Sequence, residues 1–284
     1  MCNVWRLLRT CTWDEKQVDP STFIAANGEL LNFAIGISYV ITSQFNPEFL
    51  RKNPIKCMVG YNNPCVTWDS MPARPFAALV FMPTVYFAIR FAILASHQGL
   101  LIPGMSRSLR VSVYIVNTIY AISAAILCMI FVVPPATPAA GPDTLPSLRL
   151  HSACWLQFIP CFALAILMRF VQASKMVKVS CLQWMIVVVF VTVSLLEFTM
   201  AATAVFKYQN TCTPVHDLWR MKAVDWTHFA TIPFVAWATP STAPLDVSIQ
   251  MADPESQVAN ARVVGNLSSD FRTKAGFPPV PVEE

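Results

Sequence analysis

The fold is decided by the stretch from Gln183 to Phe206, QWMIVVVFVTVSLLEFTMAATAVF, in which Glu197 is the single charged residue. A helix that crosses a bilayer needs about 20 consecutive apolar residues, and this stretch exceeds that length. Three further apolar runs of similar length occur at Phe76 to His97, Leu109 to Val133, and Leu150 to Val171. The sequence therefore predicts an all-α protein integral to a membrane.

Two weaker apolar runs complete a predicted polytopic bundle of about six spans. The run from Thr22 to Phe45 is interrupted in its first half by Asn27, Glu29 and Asn32. The run from Val215 to Ala238 carries several ionisable side chains in its first two-thirds. A charge at the bilayer centre costs at least about 2.5 kcal/mol on insertion scales. We therefore expect the last run to pack against protein or to begin among the lipid head groups.

Composition supports the same fold class. Hydrophobic residues make up 55% of the 284 residues and charged residues 13%, against a usual charged share of about 25%. The net charge of +4 is spread along the chain without a long basic run, and there are only 8 glycines. These features exclude an ordinary soluble domain and argue against phosphate-binding glycine loops and against a nucleic-acid partner.

The predicted organisation has three parts. Residues 1–21 form an N-terminal segment in which an apolar face beside Arg6 and Arg9 favours a helix lying in the membrane interface or docked on the bundle. Residues 22–240 hold the six spans, and residues 241–284 form a polar tail that contains several prolines. An even number of spans and a slight excess of Lys and Arg on one side place both termini on the inner side.

The cysteines suggest one local disulfide. Cys57 and Cys65 share the first outer loop, residues 46–74, at a spacing that a loop-closing bond can span. Such a bond requires an oxidising compartment. The sequence has no Cys-x-x-Cys pair and no Cys/His spacing typical of zinc sites. We therefore expect no metal and no cofactor, although bound lipids are expected.

Two charged residues fall inside predicted spans. Arg90 lies a little past the middle of the second span, and Glu197 lies near the middle of the fifth. Two unpaired charges at this depth would each be costly, so we expect Arg90 and Glu197 to form an ion pair that locks two helices. The alternative is that these residues form a lipid-headgroup or proton site.

A second polar group lies toward the outer side of the bundle. Asp225 and His228 are three residues apart and share one helical face, and His151 begins another span at the same side. These three residues are candidates for a lipid-accessible polar cavity. Because His-x-x-x-His and Gly-x-Ser-x-Gly patterns are absent from the sequence, we predict no catalytic residue and do not expect an enzyme.

Four short motifs between Met71 and Pro240 resemble a known six-span membrane family. They are Pro72-x-Arg74-Pro75-Phe76, Leu148-Arg149-Leu150-His151, Cys212 after Phe206-Lys207-Tyr208, and Val224-Asp225-Trp226 leading into Phe234-Val235-Ala236-Trp237. The family comprises the damage-regulated autophagy modulators and the Golgi factor that helps to remodel GPI-anchor lipids. Asp225 stands where that family usually has Glu. The resemblance implies a membrane regulator or helper, in an endomembrane, more than an enzyme.

Two functions remain open from the sequence. The first is a non-catalytic accessory or scaffold subunit of a larger membrane assembly, whose other subunits contact the N-terminal segment and the C-terminal tail. The second is a lipid-handling factor of the GPI-anchor-remodelling or autophagy-modulator type, with Arg90, His151, Asp225 and His228 bordering a cavity. The resemblance favours an endomembrane, and the mitochondrial inner membrane is the alternative.

Overall fold

The computed structural model describes residues 17–133, 135, 145–209, 212–242 and 245–246. Its regular secondary structure is helical apart from one pair of two-residue strands, β1 (Gln17–Val18) and β2 (Leu245–Asp246). The predicted interfacial helix near the N-terminus and the tail beyond residue 246 lie outside it. The helices are α1 (Pro20–Phe45), α2 (Pro47–Arg51), α3 (Pro54–Val59), α4 (Ala73–Leu101), α5 (Arg107–Leu127), α6 (Leu145–Leu156), α7 (Phe158–Ala173), α8 (Cys181–Lys207) and α9 (Leu218–Ala238).

Five helical segments in the described residues are long and apolar enough to cross a membrane. They are α1, α4, α5 with its continuation to Phe131, α6 together with α7, and α8. The prediction of a helical protein with several helices long and apolar enough to cross a membrane is thus confirmed. Helix α9 is not among the five, and it contains the charged residues Arg220, Lys222 and Asp225.

Capping residues fix where several long helices begin. The Asp19 side chain accepts a hydrogen bond from the Ser21 backbone N–H at 2.9 Å, and Pro20 follows it at the first position of α1. Ser180 and Gln183 form a reciprocal capping box at the start of α8. Asp217 caps α9. Each cap satisfies backbone N–H groups that the helix leaves unpaired.

The long helices form a closed ring in chain order. Helix α1 packs against α4, α4 against α5, α5 against α7, α7 against α8, and α8 against α9, which returns to α1. A close approach of α9 to α1 occurs at Gly28, where a Cβ atom would lie 3.2 Å from the Cβ of Ala236. Small residues at such crossings allow helices to approach closely.

Helix α9 divides its residues between two faces. Its buried face includes Met221, Asp225, His228, Ile232 and Val235, and its exposed face includes Trp219, Trp226, Phe234 and Trp237. The ionisable side chains Asp225 and His228 therefore point into the bundle. These two side chains are thus shielded by protein, whereas Arg220 and Lys222 stay exposed near the start of α9.

At one end of the bundle, here named the strand end, the first and last described segments of the chain meet. There β1 pairs with β2, and the buried Arg169 of α7 forms an ion pair with Asp19 at 3.2 Å. Arg169 also donates hydrogen bonds to the side chains of Ser21, Gln98 and Thr242 at 2.5 to 3.1 Å. The packed unit thus extends beyond the predicted limits of residues 22 and 240.

Candidate functional site

The opposite end of the bundle, here named the disulfide end, is covered by the connection between α1 and α4. This connection contains α2, α3 and a 3-10 turn at Val66–Asp69. A disulfide joins Cys57 of α3 to Cys212 in the α8–α9 connection. The predicted bond between Cys57 and Cys65 is therefore wrong, and Cys65 is a buried free thiol. Burial raises the pKa of that thiol, which keeps it neutral.

The path of the chain after α3 explains this pairing. Gly60 ends α3 with a φ of +87°. A Cβ atom at Gly60 would lie 3.0 Å from both Pro214 and Leu218. The end of α3 therefore lies directly against the α8–α9 connection, which carries Cys212. A side chain at position 60 would be strained by its backbone conformation and crowded by two neighbours.

Gly60 also directs the next residue, Tyr61, into the bundle. The Tyr61 hydroxyl donates a hydrogen bond to Asp225 Oδ2 at 2.7 Å and approaches the Met221 carbonyl oxygen at 3.3 Å. Burial first, and then the charge of Asp225, raise the pKa of the Tyr61 phenol above its ordinary value. Tyr61 is therefore protonated at physiological pH and acts as a hydrogen-bond donor.

Asp225 and Glu197 form a pair of carboxyl groups between α9 and α8. Their side chains lie close enough to influence each other electrostatically, and Glu197 and Asp225 are only 3% and 1% exposed. Two carboxylates in contact cannot both be ionised at low cost, and a hydrogen bond between them requires one proton. Among the described residues, Tyr61 is the one side chain that donates to the pair.

The predicted ion pair between Arg90 and Glu197 is therefore wrong. Glu197 interacts with Asp225, whereas the Arg90 guanidinium lies 5.9 Å from the centre of the Phe23 ring. The order of the helices in the ring explains why Arg90 does not meet Glu197. Arg90 is on α4, whose main neighbours are α1 and α5, whereas Glu197 is on α8, which packs against α7 and α9.

A second polar pair joins His151 of α6 to Asp69 of the 3-10 turn. The Nδ1 atom of His151 lies 2.7 Å from the carbonyl oxygen of Val133, and its Nε2 atom lies 3.2 Å from Asp69 Oδ1. The Nδ1 atom is hydrogen-bonded to Val133, whereas Asp69 Oδ1 has no hydrogen-bond partner among the described residues. The contact between Nε2 and Asp69 is thus an ion pair when the ring is protonated, without a hydrogen bond.

Both pairs line one cavity of about 60 Å³, which is larger than a single water needs. Its polar walls include Asn63, Cys65 and Ser152 in addition to Asp69, His151, Glu197 and Asp225. Apolar side chains complete the walls: Ile55, Met58, Val59, Val66, Ile130, Trp155, Leu156, Ala201, Val205 and Met221. Asn63 and Ala201 are half-buried and mark its edge.

The structure brings together only part of the predicted polar group. His151 and Asp225 line the cavity, whereas His228 lies one turn further along α9 and outside the lining. The Nδ1 atom of His228 is 3.2 Å from the Ser194 hydroxyl, and its ring stacks on Phe190. Arg90 is also absent from the residues that line the cavity. Sequence reasoning missed Tyr61, Asn63, Asp69 and Ser152.

Several polar atoms in the cavity wall lack partners. The Ser152 hydroxyl and the Asn63 Oδ1 atom have no hydrogen-bond partner in the described part of the chain. Glu197 Oε2 and Asp225 Oδ1 receive no N–H or O–H from it either. Buried polar groups are nearly always hydrogen-bonded in folded proteins. Unpaired polar atoms around one cavity are therefore typical of a binding site for a polar group.

The chemistry of the lining limits what this site does. The described lining residues include no Lys or Arg, so the cavity does not suit a phosphate. Within the described residues, no group of three or more His, Cys, Asp or Glu side chains is arranged to hold a metal ion. The Ser152 hydroxyl has no hydrogen-bond partner among the described residues, so no base is bonded to it there. The arrangement is suited to binding more than to nucleophilic chemistry.

Comparisons of the chain with protein-family models, with curated proteins and with solved structures find no match.

Proposed function

We propose that this protein is a non-catalytic lipid-handling factor that binds the polar head group of a membrane lipid in the cavity at its disulfide end. The observation that carries the proposal is the cavity itself, with unpaired polar atoms of Ser152, Asn63, Glu197 and Asp225 around it. Asp225 lies about 10 Å along α9 from Leu218. With Trp219 at the interface, this depth lies inside the hydrocarbon, where a buried carboxyl pair is costly unless a donor or a cation binds it.

The proposed bundle has six spans, with α9 as the sixth. Trp219 and Trp237 are both exposed, near opposite ends of α9, and they lie about 27 Å apart along the helix axis. This spacing matches the hydrocarbon thickness of about 30 Å and the preference of Trp for both interfaces. Pairing of β1 with β2 also suits an even number of crossings, which brings the chain back to the side where it began.

We place the disulfide end on the outer or luminal side of an endomembrane. Disulfides persist in oxidising compartments and are rare in the cytosol, which supports this orientation for the Cys57–Cys212 bond. The strand end and both termini then face inward. Fluorescence co-localisation with endomembrane and mitochondrial markers separates this location from the mitochondrial inner membrane, which is the alternative.

Single-cysteine labelling tests the orientation. On a background that keeps Cys57 and Cys212, single cysteines at Asn62 and Lys175 are exposed to an impermeant thiol reagent. Asn62 is in the connection at the disulfide end, and Lys175 follows α7 at the strand end. We expect labelling of the two positions from opposite sides of the membrane. Labelling of both from the same side contradicts the six-span arrangement.

Lipid binding is tested with a substitution that fills the cavity. Ser152→Leu adds an apolar side chain to the cavity wall, whereas Ala153→Leu adds the same side chain at an exposed position of α6. Native mass spectrometry after mild detergent extraction measures the bound lipid. We expect the wild-type protein and Ala153→Leu to retain lipid and Ser152→Leu to lose it. Equal lipid content in all three proteins contradicts the proposal.

The alternative proposal is an accessory subunit that assembles through its C-terminal tail. Thr242 donates to Asp19 and accepts from Arg169 within the bundle, so a truncation after Pro240 would damage the bundle itself. Truncation after Asp246 keeps those contacts. The accessory-subunit proposal is supported if, on native gels, the full chain migrates as part of a larger assembly and the truncated variant migrates alone.

A further inference from the structure

We infer that the cavity at the disulfide end selects a primary ammonium group, which binds against the paired carboxyl groups of Glu197 and Asp225. This inference deepens the proposed function, because it names the chemical class of the head group, and it rests on the same site. A primary ammonium is carried both by aminophospholipids and by free amines. The experiment below separates these two sources.

Several acceptor atoms at the cavity have no donor. Glu197 Oε2, Asp225 Oδ1 and Asn63 Oδ1 are all acceptors, and no N–H or O–H of the described residues donates to them. Within the part of the chain that the structure describes, Tyr61 alone donates to the carboxyl pair. A buried ionised carboxylate is stable only when several donors or an opposite charge surround it. A ligand that fits this wall must therefore bring hydrogen-bond donors.

The acidic side chains at the cavity are not all balanced by a cation. Asp69 is balanced by His151 at 3.2 Å, which leaves the Glu197–Asp225 pair as the unbalanced acidic group of the cavity. Among the described residues, the nearby cations Arg74 and Arg149 are directed to carbonyl oxygens, those of Phe131 and Phe206. Neither arginine is in the lining. The cavity therefore favours a cation and disfavours a phosphate or carboxylate.

The cavity wall suits a primary ammonium better than a quaternary ammonium. A primary ammonium has three donors and no acceptor, which matches a wall of unpaired oxygens. A quaternary ammonium has no N–H to donate and is usually held by several aromatic faces, whereas Trp155 is the single aromatic side chain among the described lining residues. The geometry thus points to a primary ammonium over a trimethylammonium.

Binding of the ammonium should release a proton. Because two buried carboxyl groups in contact avoid being ionised together, we expect the free pair to hold one proton. With the ammonium bound both carboxylates are ionised, so this proton leaves to solvent. The other titratable groups around the cavity are Tyr61 and Cys65 from the covering connection, Asp69 from the 3-10 turn and His151 from α6. His228 lies one turn deeper on α9. Tyr61 and Cys65 stay protonated, and Asp69 and His151 stay paired.

Titration calorimetry of the full chain in detergent tests the inference. The probes are dioctanoyl phosphatidylethanolamine, dioctanoyl phosphatidylcholine and free ethanolamine, each in two buffers of different ionisation enthalpy. We expect phosphatidylethanolamine to bind at least about tenfold more tightly than phosphatidylcholine, with release of about one proton. Glu197→Gln should weaken that binding at least about tenfold. Glu48→Gln, at a carboxylate that is 76% exposed near the same end, should leave it unchanged.

The outcomes distinguish this inference from the function on which it rests. Equal binding of the two phospholipids overturns the selection of an ammonium and leaves a lipid-binding cavity. Binding of ethanolamine as tight as that of the phospholipid keeps the ammonium site and overturns the lipid as its source. No binding of any probe overturns the ammonium site. If Glu197→Gln unfolds, Ser152→Leu replaces it, because this variant blocks the cavity and keeps both carboxyl groups.

Discussion

The two ends of the bundle bury charge in opposite ways. At the strand end, all three guanidinium nitrogens of Arg169 find acceptors, on Asp19, Ser21, Gln98 and Thr242. At the disulfide end, Tyr61 donates to Asp225 and no described residue donates to Glu197 Oε2, although both carboxyl groups border a cavity. Well-paired buried charges hold elements in place, whereas poorly paired ones reduce stability unless they serve another purpose. The strand end is therefore structural, and the disulfide end is the place for binding.

The largest effect should come from breaking the strand end. Arg169→Met leaves Asp19 buried without its cation and removes contacts to two other parts of the chain, at Gln98 and Thr242. Removing one partner of a buried ion pair costs about 3–5 kcal/mol. We expect a clear fall in the thermal unfolding temperature of the detergent-solubilised protein. Lys175→Met, which removes an exposed cation just after α7, is the matched control and should change little.

The next effect should come from the disulfide. Cys57→Ser removes the bond to Cys212, and loss of such a cross-link typically costs about 2–5 kcal/mol. Cys65→Ser and Cys181→Ser change free thiols and should keep the bond. Peptide mapping without reduction measures which pairs form. A Cys57–Cys65 peptide in the wild-type protein would contradict this structure of the disulfide end.

A substitution in the carboxyl pair should raise the stability of the fold, whereas the two changes above should lower it. Glu197→Gln places an amide donor against Asp225 and removes the need for a shared proton, so we expect unfolding stability to rise by about 1 kcal/mol. The same change should abolish selective binding of phosphatidylethanolamine. Thermal unfolding without added lipid gives the first quantity. A loss of stability as large as that of Arg169→Met would show that the two ends do not differ in kind.

The sequence predicts the helices well and the pairings between them poorly. Apolar length and capping residues are local, so Gln183 to Phe206 could be recognised as part of α8 without knowledge of its neighbours. The partner of Glu197 depends on which helices are adjacent in the ring, and nothing local shows this. Arg169 lies near the end of the predicted span from Leu150 to Val171, and nothing local shows that it is buried against Asp19, 150 residues earlier.

The covering connection at the disulfide end was hardest to predict. Cys57 pairs across 155 residues with Cys212, whereas spacing in the sequence can suggest only local pairs. Tyr61 and Asp69 lie in short turns without periodicity, so no pattern assigned them to a face. The left-handed conformation at Gly60 was the one local signal. A glycine directly after a short helix is a common way to end it and turn the chain.

The smallest effect compares two buried tyrosines. Tyr61→Phe removes the hydrogen bond to Asp225, which should cost about 0.5–1.5 kcal/mol. Tyr120→Phe removes a hydroxyl that is fully buried and has no hydrogen-bond partner in the described residues, so it should be neutral or slightly stabilising. Thermal unfolding of both variants measures the difference.

Since Tyr61 lies outside the lining and donates to a carboxyl group that the ammonium also contacts, Tyr61→Phe should weaken phosphatidylethanolamine binding by less than Glu197→Gln does. Equal stability of the two tyrosine variants would show that Tyr61 adds nothing to the carboxyl pair, and the disulfide end would then hold two carboxyl groups with no donor from the described residues.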